Sequence, residues 1–166
     1  MAIWRNLTPV DIPALMHVAD TVHPGLPEHA EVFNERIRLY PEGYLALENE
    51  NNGQVCGYAI SHPIRYHQLP ALDTLLGEIS SNSDQYYIHD IVILPSFQGY
   101  GLAGQCVRRL LDVGKQRGFE SSCLVSVYGT ERFWARFGFQ REDVGDDLRE
   151  KIRGYGGNAV YLSRMN

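Results

Sequence analysis

The alternation of apolar and polar residues is clearest between residues 86 and 117, where its period changes. An apolar run over residues 88–94 ends at Pro95, as expected of a strand, because proline has no N–H to donate to a neighbouring strand. From Leu102 onward the apolar residues recur at the spacing of one helix face. The pattern therefore predicts a buried strand, a glycine-rich turn and a helix.

A helix that begins directly after such a turn leaves its first backbone N–H groups without partners. These groups, together with the positive end of the helix dipole, attract a phosphate. We therefore expect residues 98–104 to bind a diphosphate. A plain strand-to-helix turn without a ligand is the alternative interpretation of the loop taken alone.

The remaining pattern predicts further strands and helices in alternation. Helices are expected at residues 9–19, 28–39 and 131–137, and further strands at residues 3–6, 44–47, 54–61, 121–127 and 159–163. A short helical turn is expected near residues 70–76, inside the long segment 62–84, and a helical piece near residues 148–152. Together these elements predict a mixed α/β fold in one domain that covers residues 1–166.

Composition narrows the function classes. Apolar residues make up 44% of the chain and charged residues 21%, as in ordinary globular proteins. The net charge of −5 argues against a nucleic-acid partner, which needs a basic surface, and mildly favours a cationic substrate. No apolar stretch is long enough to span a membrane, so we expect no membrane partner. We expect a cytoplasmic protein, a monomer or homodimer, with no metal site and with Cys56, Cys106 and Cys123 as free thiols.

Three glycines in the turn raise a choice between two phosphate ligands. Gly99, Gly101 and Gly104 satisfy the G-x-G-x-x-G spacing of dinucleotide-binding proteins. That motif places its first glycine directly after the strand and an acidic ribose ligand after the next strand. Here four residues intervene, and the acid at a suitable distance, Glu120, precedes the next strand. The sequence meets neither requirement, so the glycine spacing alone supports the interpretation as a nicotinamide-dependent oxidoreductase.

A second interpretation uses Gln98, Gly101 and Ala103. Their spacing after a strand that ends in proline resembles the Arg/Gln-x-x-Gly-x-Gly/Ala motif of the GNAT superfamily of N-acetyltransferases. The segment 133–139, Phe-Trp-Ala-Arg-Phe-Gly-Phe, resembles the aromatic-Tyr-x-x-x-Gly-Phe signature of the same superfamily. Weaker similarities, including Tyr87-Ile-His89, indicate the arylalkylamine N-acetyltransferase-like branch.

The resemblance implies a fold, a cosubstrate and a set of contacts. It implies a central mixed sheet of about six to seven strands flanked by about four helices, with acetyl-CoA bound at the glycine turn. The residues implied to hold acetyl-CoA are Ile91, Val92, Ile93, Gln98, Gly99, Tyr100, Gly101, Leu102, Ala103, Gly104 and Trp134. A backbone N–H of Ile91 or Val92 is expected to polarise the thioester carbonyl.

Acetyl transfer to an amine also needs a base that takes the amine proton, and it can use an acid that protonates the departing CoA thiolate. His89 is the candidate base, acting directly or through water, because imidazole titrates near neutral pH. Regular strand alternation would place Asp90 on the opposite face from His89, in a structural role. The family's usual tyrosine acid is replaced by Trp134, which has no useful acidity. Either Tyr128 protonates the CoA thiolate, or the thiolate leaves unassisted.

The resemblance implies that the first two helices and the long segment 62–84 form the walls of the pocket for the acceptor substrate. The candidate residues for contact with the acceptor are His23, Leu26, Glu28, Tyr66 and Tyr87. Aromatic and acidic side chains together suit an amine cation. The sequence thus predicts an acetyl-CoA-dependent N-acetyltransferase acting on a small primary amine by direct attack in a ternary complex. The alternative is a catalytically weak or inactive fold member that binds CoA or acyl-CoA.

Overall fold

The computed structural model describes residues 1–24 and 28–166. Its strands are β1 (Ala2–Asn6), β2 (Tyr44–Asn49), β3 (Val55–Ile64), β4 (Gln85–Ile93), β5 (Ser121–Ser126), β6 (Gln140–Arg141) and β7 (Val160–Met165). Its helices are α1 (Ile12–Val22), α2 (Ala30–Leu39), α3 (Leu102–Gln116), α4 (Glu131–Ala135) and α5 (Asp146–Arg153).

The seven strands form one mixed sheet in the order β1-β2-β3-β4-β5-β7-β6. Among the described residues, β4 and β5 are the parallel pair, and the other neighbours are antiparallel. Parallel neighbours need a long crossover connection, which α3 provides. The mixed α/β fold predicted from the sequence, with its strand, glycine turn and helix, is confirmed.

The helices cover both faces of the sheet. On one face, Leu15 of α1 and Phe33 of α2 pack against Tyr58 of β3. On the other face, Leu110 of α3 packs with Tyr86 of β4. The apolar stripe of α3 is therefore buried against the strand that precedes it, and this contact fixes where the first turn of α3 lies.

The strands β4 and β5 are paired over only part of their length. Their register runs from Tyr86 opposite Ser122 to Ile88 opposite Leu124 and ends there. β4 continues to Ile93, and β5 continues to Ser126. The carboxyl-terminal halves of the two strands thus separate, and one edge of β4 faces an opening in the sheet.

A β-bulge lies in β4 at the start of this opening. Asp90 pairs with Ile60 of β3 and Ile88 pairs with Ser61, so His89 is an extra residue without a partner in β3. A bulge of this kind interrupts the alternation of side chains between the two faces. His89 and Asp90 consequently both face the cavity described below. The expectation that Asp90 lies opposite His89 is wrong, because it assumed a regular strand.

Two segments with a predicted helical turn or piece differ from the sequence prediction. The fifth helix, α5, forms where only a helical piece was expected, and it buries Leu148 and Ile152. No helix forms in the segment 65–84, where a helical turn was predicted; it contains turns only. None of the helices in the described residues is both long and apolar enough to cross a lipid bilayer.

Candidate active site

A cavity of about 400 Å³ lies between the separated ends of β4 and β5. The sequence-predicted site residues that line it are His23, Glu28, His89, Ile91, Val92, Ile93, Gln98, Ala103, Tyr128 and Trp134. These residues come from the end of α1, the start of α2, the end of β4, the glycine turn and the region around α4. The fold thus brings together groups that are more than 100 positions apart in the sequence.

The glycine turn next to this cavity has the geometry expected of a phosphate site. The first hydrogen bond at the start of α3 is donated by the Gln105 N–H to the Gly101 carbonyl at 3.2 Å. Within residues 1–24 and 28–166, no backbone carbonyl accepts a hydrogen bond from the six N–H groups of residues 99–104. Gly99 and Gly101 have positive φ angles of 87° and 77°, which other residues adopt only with strain. Six consecutive donors are therefore available to an anion.

The backbone of β4 determines which amides face the opening. The Leu94 N–H donates to the Cys56 carbonyl, so this residue pair is hydrogen bonded across β3 and β4. Hydrogen-bonded pairs alternate along an antiparallel ladder, and the backbone of Val92 therefore also faces β3. The backbone groups of Ile91 and Ile93 face the opening instead. The expectation that the Val92 N–H could polarise a carbonyl is corrected on this ground, and Ile91 is left as the candidate.

Gln98 and Trp134 occupy the two sides of the opening. The side-chain amide of Gln98 donates to the Ile93 carbonyl at 2.9 Å, which ties the glycine turn to the end of β4. Trp134 is only 8% exposed and packs edge-on against Phe133 and Phe139. Its indole thus forms an apolar wall of the cavity.

A buried ion pair joins Glu28 to His89. The Nε2 atom of His89 is 2.9 Å from a Glu28 carboxylate oxygen, and the two side chains are 2% and 9% exposed. Burial alone would raise the pKa of Glu28, but the hydrogen bond and charge of His89 outweigh it and lower the pKa to about 2. Glu28 is therefore ionised at neutral pH.

A chain of hydroxyl groups fixes the other nitrogen of His89. The Tyr155 hydroxyl donates to the Pro70 carbonyl at 3.0 Å, and a carbonyl can only accept. Tyr155 must then accept from the Tyr87 hydroxyl at 3.0 Å, and Tyr87 must accept from Nδ1 of His89 at 2.9 Å. Nδ1 of His89 thus carries a hydrogen, and Nε2, which faces the ionised carboxylate of Glu28, must also donate a hydrogen, because a carboxylate can only accept.

A second acid–histidine pair lies beside the first. Nε2 of His23 is 3.2 Å from a carboxylate oxygen of Asp90, and Nδ1 of His23 is 3.0 Å from the Tyr128 hydroxyl. The Tyr58 hydroxyl donates to the same carboxylate at 3.2 Å. Burial opposes the charged form of His23, but Asp90 and Glu28 outweigh it and raise the pKa of His23.

Some predicted contacts do not reach the cavity. Tyr87 is fully buried behind His89, so it orients that histidine and does not touch an acceptor. Tyr66 lies elsewhere, where its hydroxyl donates to Glu142 at 3.1 Å. Leu26 lies outside the described residues. In the glycine turn, the cavity wall includes Gln98 and Ala103 but not Gly99, Tyr100, Gly101, Leu102 or Gly104.

Sequence reasoning missed Asp90 and Tyr155 as site residues. Asp90 was misplaced because nothing in residues 85–93, such as a glycine or proline, indicates a bulge. Tyr155 comes from the polar segment after α5, where no motif marks it. Within the described residues no cluster of three or more potential metal ligands occurs, and all three cysteines are buried free thiols.

With this geometry established, comparison with known proteins identifies the family. A family model described as the acetyltransferase (GNAT) family matches residues 12–139, which is more than half of the chain. The chain therefore belongs to the GNAT family of acetyltransferases. No curated protein matches the sequence significantly.

Solved structures of low sequence identity share the fold. The loading GNATL domain of CurA from Lyngbya majuscula has a TM-score of 0.80 at 18% identity, covering 99% of this chain and 98% of that one. Rv2747 from Mycobacterium tuberculosis, solved with CoA, has a TM-score of 0.70 at 18% identity, covering 99% of both chains. N-acetylglutamate synthase from Neisseria gonorrhoeae, solved with coenzyme A and N-acetyl-glutamate, has a TM-score of 0.69 at 20% identity, covering 99% of this chain and 35% of that one.

Proposed function

We propose that this protein is an acetyl-CoA-dependent N-acetyltransferase that acts on a primary amine of a small molecule. The observation that carries the proposal is an adjoining pair of features: six amides at residues 99–104 that have no backbone partner in the described part of the chain, and a cavity with a buried carboxylate–histidine pair. Family membership supplies the reaction class, and structural neighbours solved with CoA support the cosubstrate. The amine attacks the thioester directly while both substrates are bound.

Acetyl-CoA is held by the glycine turn and by the open edge of β4. The amides of residues 99–104 bind the diphosphate at the N-terminus of α3. The backbone groups of Ile91 and the N–H of Ile93 pair with the pantetheine amides as an added strand would. Trp134 and Ala103 pack on its apolar parts. The Ile91 N–H then lies closest to the developing oxyanion and stabilises it.

The Glu28–His89 pair takes the proton of the amine. An alkylammonium has a pKa of about 10, so the amine must lose a proton before it attacks. Glu28 lines the cavity and accepts the Nε2–H of His89, so His89 acts as the base once this nitrogen has released its hydrogen. Nε2 of the neutral His89 then takes the amine proton directly or through an adjacent water. The pair then forms a charge-assisted hydrogen bond, which stabilises the product of proton uptake.

The acceptor is a small, partly apolar amine. The cavity offers two carboxylates, Glu28 and Asp90, to an ammonium group, and mainly apolar side chains elsewhere. Aromatic rings at Phe133 and Trp134 favour an apolar or aromatic substituent. The assignment to the arylalkylamine N-acetyltransferase-like branch stays a prediction. The cytoplasmic location and the monomeric or dimeric state expected from the sequence stay predictions.

A second candidate function is binding of CoA or acyl-CoA without turnover. Two observations favour it. Trp134 occupies the position of the usual tyrosine acid, and both nitrogens of His89 already have protein partners. A protein of this kind would keep the amides of residues 99–104 for the diphosphate and would not release CoA thiol when amines are added.

The two functions are separated by an assay of thiol release from acetyl-CoA with a panel of primary amines. We expect turnover with an apolar or aromatic amine, and we expect His89→Ala to lower it by about 100-fold near neutral pH with unchanged CoA affinity. His17→Ala, an exposed histidine of α1, is the matched control and should behave as the wild type. Full activity of His89→Ala between about pH 6 and 9 would disprove the role as base. CoA binding without any turnover would select the binding function.

A further inference from the structure

The second acid–histidine pair, Asp90 and His23, has no part in the proton transfer described above. It ends at the Tyr128 hydroxyl, 3.0 Å from Nδ1 of His23, and all three side chains line the cavity. The Tyr58 hydroxyl, behind Asp90, donates to the same carboxylate that accepts from Nε2 of His23. The result is a continuous line of hydrogen bonds from the sheet to a hydroxyl at the cavity wall.

The backbone of Tyr128 is in an unusual conformation. Its φ angle is +55°, in the left-handed region that a bulky side chain adopts only at a cost of about 1–3 kcal/mol. The side chain is 62% exposed, so burial does not compensate this cost. The ring instead stacks on His23, with centroids 5.5 Å apart and planes 18° apart. Such strain persists at sites where it holds a group in position, which points to the hydroxyl as the useful part.

The charge of His23 determines where the hydroxyl hydrogen of Tyr128 points. Nε2 of His23 faces a carboxylate and therefore donates in both charge states. When His23 is neutral, Nδ1 is an acceptor, and Tyr128 directs its hydrogen to the imidazole. When His23 is protonated, Nδ1–H donates to the Tyr128 oxygen, and the hydroxyl hydrogen is free to point into the cavity.

The surroundings of His23 favour its protonated form. The charged and titratable groups around it come from several elements: Asp90 and His89 (β4), Tyr58 (β3), Asp20 (α1), Glu28 (before α2) and Tyr128 (after β5). Burial of His23 opposes the charge, but the carboxylates of Asp90 and Glu28 outweigh burial and raise its pKa.

We propose that Asp90 and His23 are positioning residues that aim the Tyr128 hydroxyl hydrogen at the sulfur of the departing CoA. This inference rests on the acetyl transfer proposed above. As the carbon–sulfur bond breaks, its electron pair goes to sulfur, the Tyr128 O–H bond breaks, and an S–H bond forms. The Tyr128 oxygen takes the hydrogen of Nδ1, which leaves His23 neutral. His23, whose side chain is 11% exposed, regains a proton from solvent. Tyr128 thus replaces the acid that Trp134 cannot supply.

The relay is tested first without turnover, by NMR titration of His23 in the ligand-free protein. The pKa of His23 is expected above 6.5, and Asp90→Asn is expected to lower it because the carboxylate is removed. His17→Gln, which removes an exposed histidine of α1, is the control and should leave the titration of His23 unchanged. A pKa of His23 that is not raised, or that Asp90→Asn leaves unchanged, would overturn the relay whether or not the protein is an acetyltransferase.

The kinetic test compares Tyr128→Phe and His23→Gln with the wild type across pH, using the best amine of the panel. Each variant is expected to lower kcat about tenfold, with acetyl-CoA affinity by calorimetry unchanged. Wild-type kcat should fall as the pH rises through the pKa of His23, because neutral His23 turns the Tyr128 hydrogen away. This alkaline decline should disappear in His23→Gln, and His17→Gln should keep it. Wild-type pH profiles in both variants would refute the proposal, whereas absence of turnover in the wild type would refute the acetyl transfer itself.

Discussion

His89 and His23 lie in the same cavity but have different hydrogen-bond partners. His89 ends a hydroxyl chain whose direction is set by the Pro70 carbonyl, so one of its nitrogens is permanently a donor. His23 lies between a carboxylate and a hydroxyl, and the direction of one of its bonds changes with its charge. The same residue type can therefore accept a proton at one site and direct a proton at the other.

Gly101 is the single residue on which CoA binding should depend most strongly. Its φ of +77° and the open space around its Cα leave room for a ligand directly against the backbone. Gly101→Asp adds backbone strain and places a carboxylate where the diphosphate is expected. We expect CoA affinity, measured by calorimetry, to fall on the order of 100-fold, about 2.8 kcal/mol.

Gly53 provides the matched control for this substitution. It lies in the hairpin between β2 and β3, has a φ of +71° and also has open space around it. Gly53→Asp therefore introduces comparable strain far from the cavity and should leave CoA affinity unchanged. Equal loss of affinity in both variants would mean that strain, and not phosphate binding, explains the effect.

At the scale of elements, local signals and long-range contacts differ in how well the sequence predicts them. The strand, turn and helix at residues 85–116 were predictable because proline, glycine and helical spacing each act on neighbouring residues. The bulge at His89 was not predictable from the sequence, because it arises from the register with β3 and no particular residue type marks it. The pairing of Glu28 with His89, 61 positions apart, is likewise set only by how α2 and β4 pack.

The segment 65–84 has no helix but is attached to α2 by acidic side chains. Glu35 accepts the N–H groups of Leu76 at 2.5 Å and Gly77 at 2.9 Å. Glu28 accepts the N–H of Asp73 at 3.1 Å. These bonds replace the internal hydrogen bonds that a helical turn would have made, so the segment is ordered without regular structure. Leu72, in the same segment, lines the cavity.

Removal of the Glu35 carboxylate should loosen this segment. In Glu35→Ala the Leu76 and Gly77 amides lose their acceptors, which costs about 0.5–1.5 kcal/mol for each of these partly buried hydrogen bonds. We expect hydrogen exchange at these two amides to accelerate tenfold or more. Glu31→Ala, an exposed acid one turn earlier in α2, should leave their exchange unchanged. Unaltered protection in Glu35→Ala would show that the segment is held by other contacts.

At the scale of the whole molecule, the site occupies the place where the sheet opens. One parallel pair, crossed over by α3, separates beyond Ile88, and side chains from both helical layers meet there. The neighbours share this fold at TM-scores of 0.69–0.80 with only 18–20% identity. These similarities establish the fold alone, and the match to the acetyltransferase family model gives the family.

The stability of the folded chain should depend on pH through His62. This histidine is 1% exposed and donates Nδ1–H to the Pro63 carbonyl at 3.0 Å. Burial lowers the pKa of His62 to about 3, and the bond to Pro63 offsets only part of that effect. Between about pH 6.5 and 3 the unfolded chain therefore binds a proton that the folded chain does not. In that window, the contribution of His62 reduces the free energy of unfolding by about 1.4 kcal/mol for each unit that the pH falls.

Urea unfolding between about pH 6 and 4.5 measures this dependence above the range where most carboxylates titrate. We expect His62→Gln to lose most of the slope, because glutamine can still donate to the Pro63 carbonyl but takes up no proton. His17→Gln, which removes an exposed histidine of α1, is the control and should keep the wild-type slope. An unchanged slope in His62→Gln would mean that the folded protein already protonates His62 in this range, or that the acid-labile group lies elsewhere in the molecule.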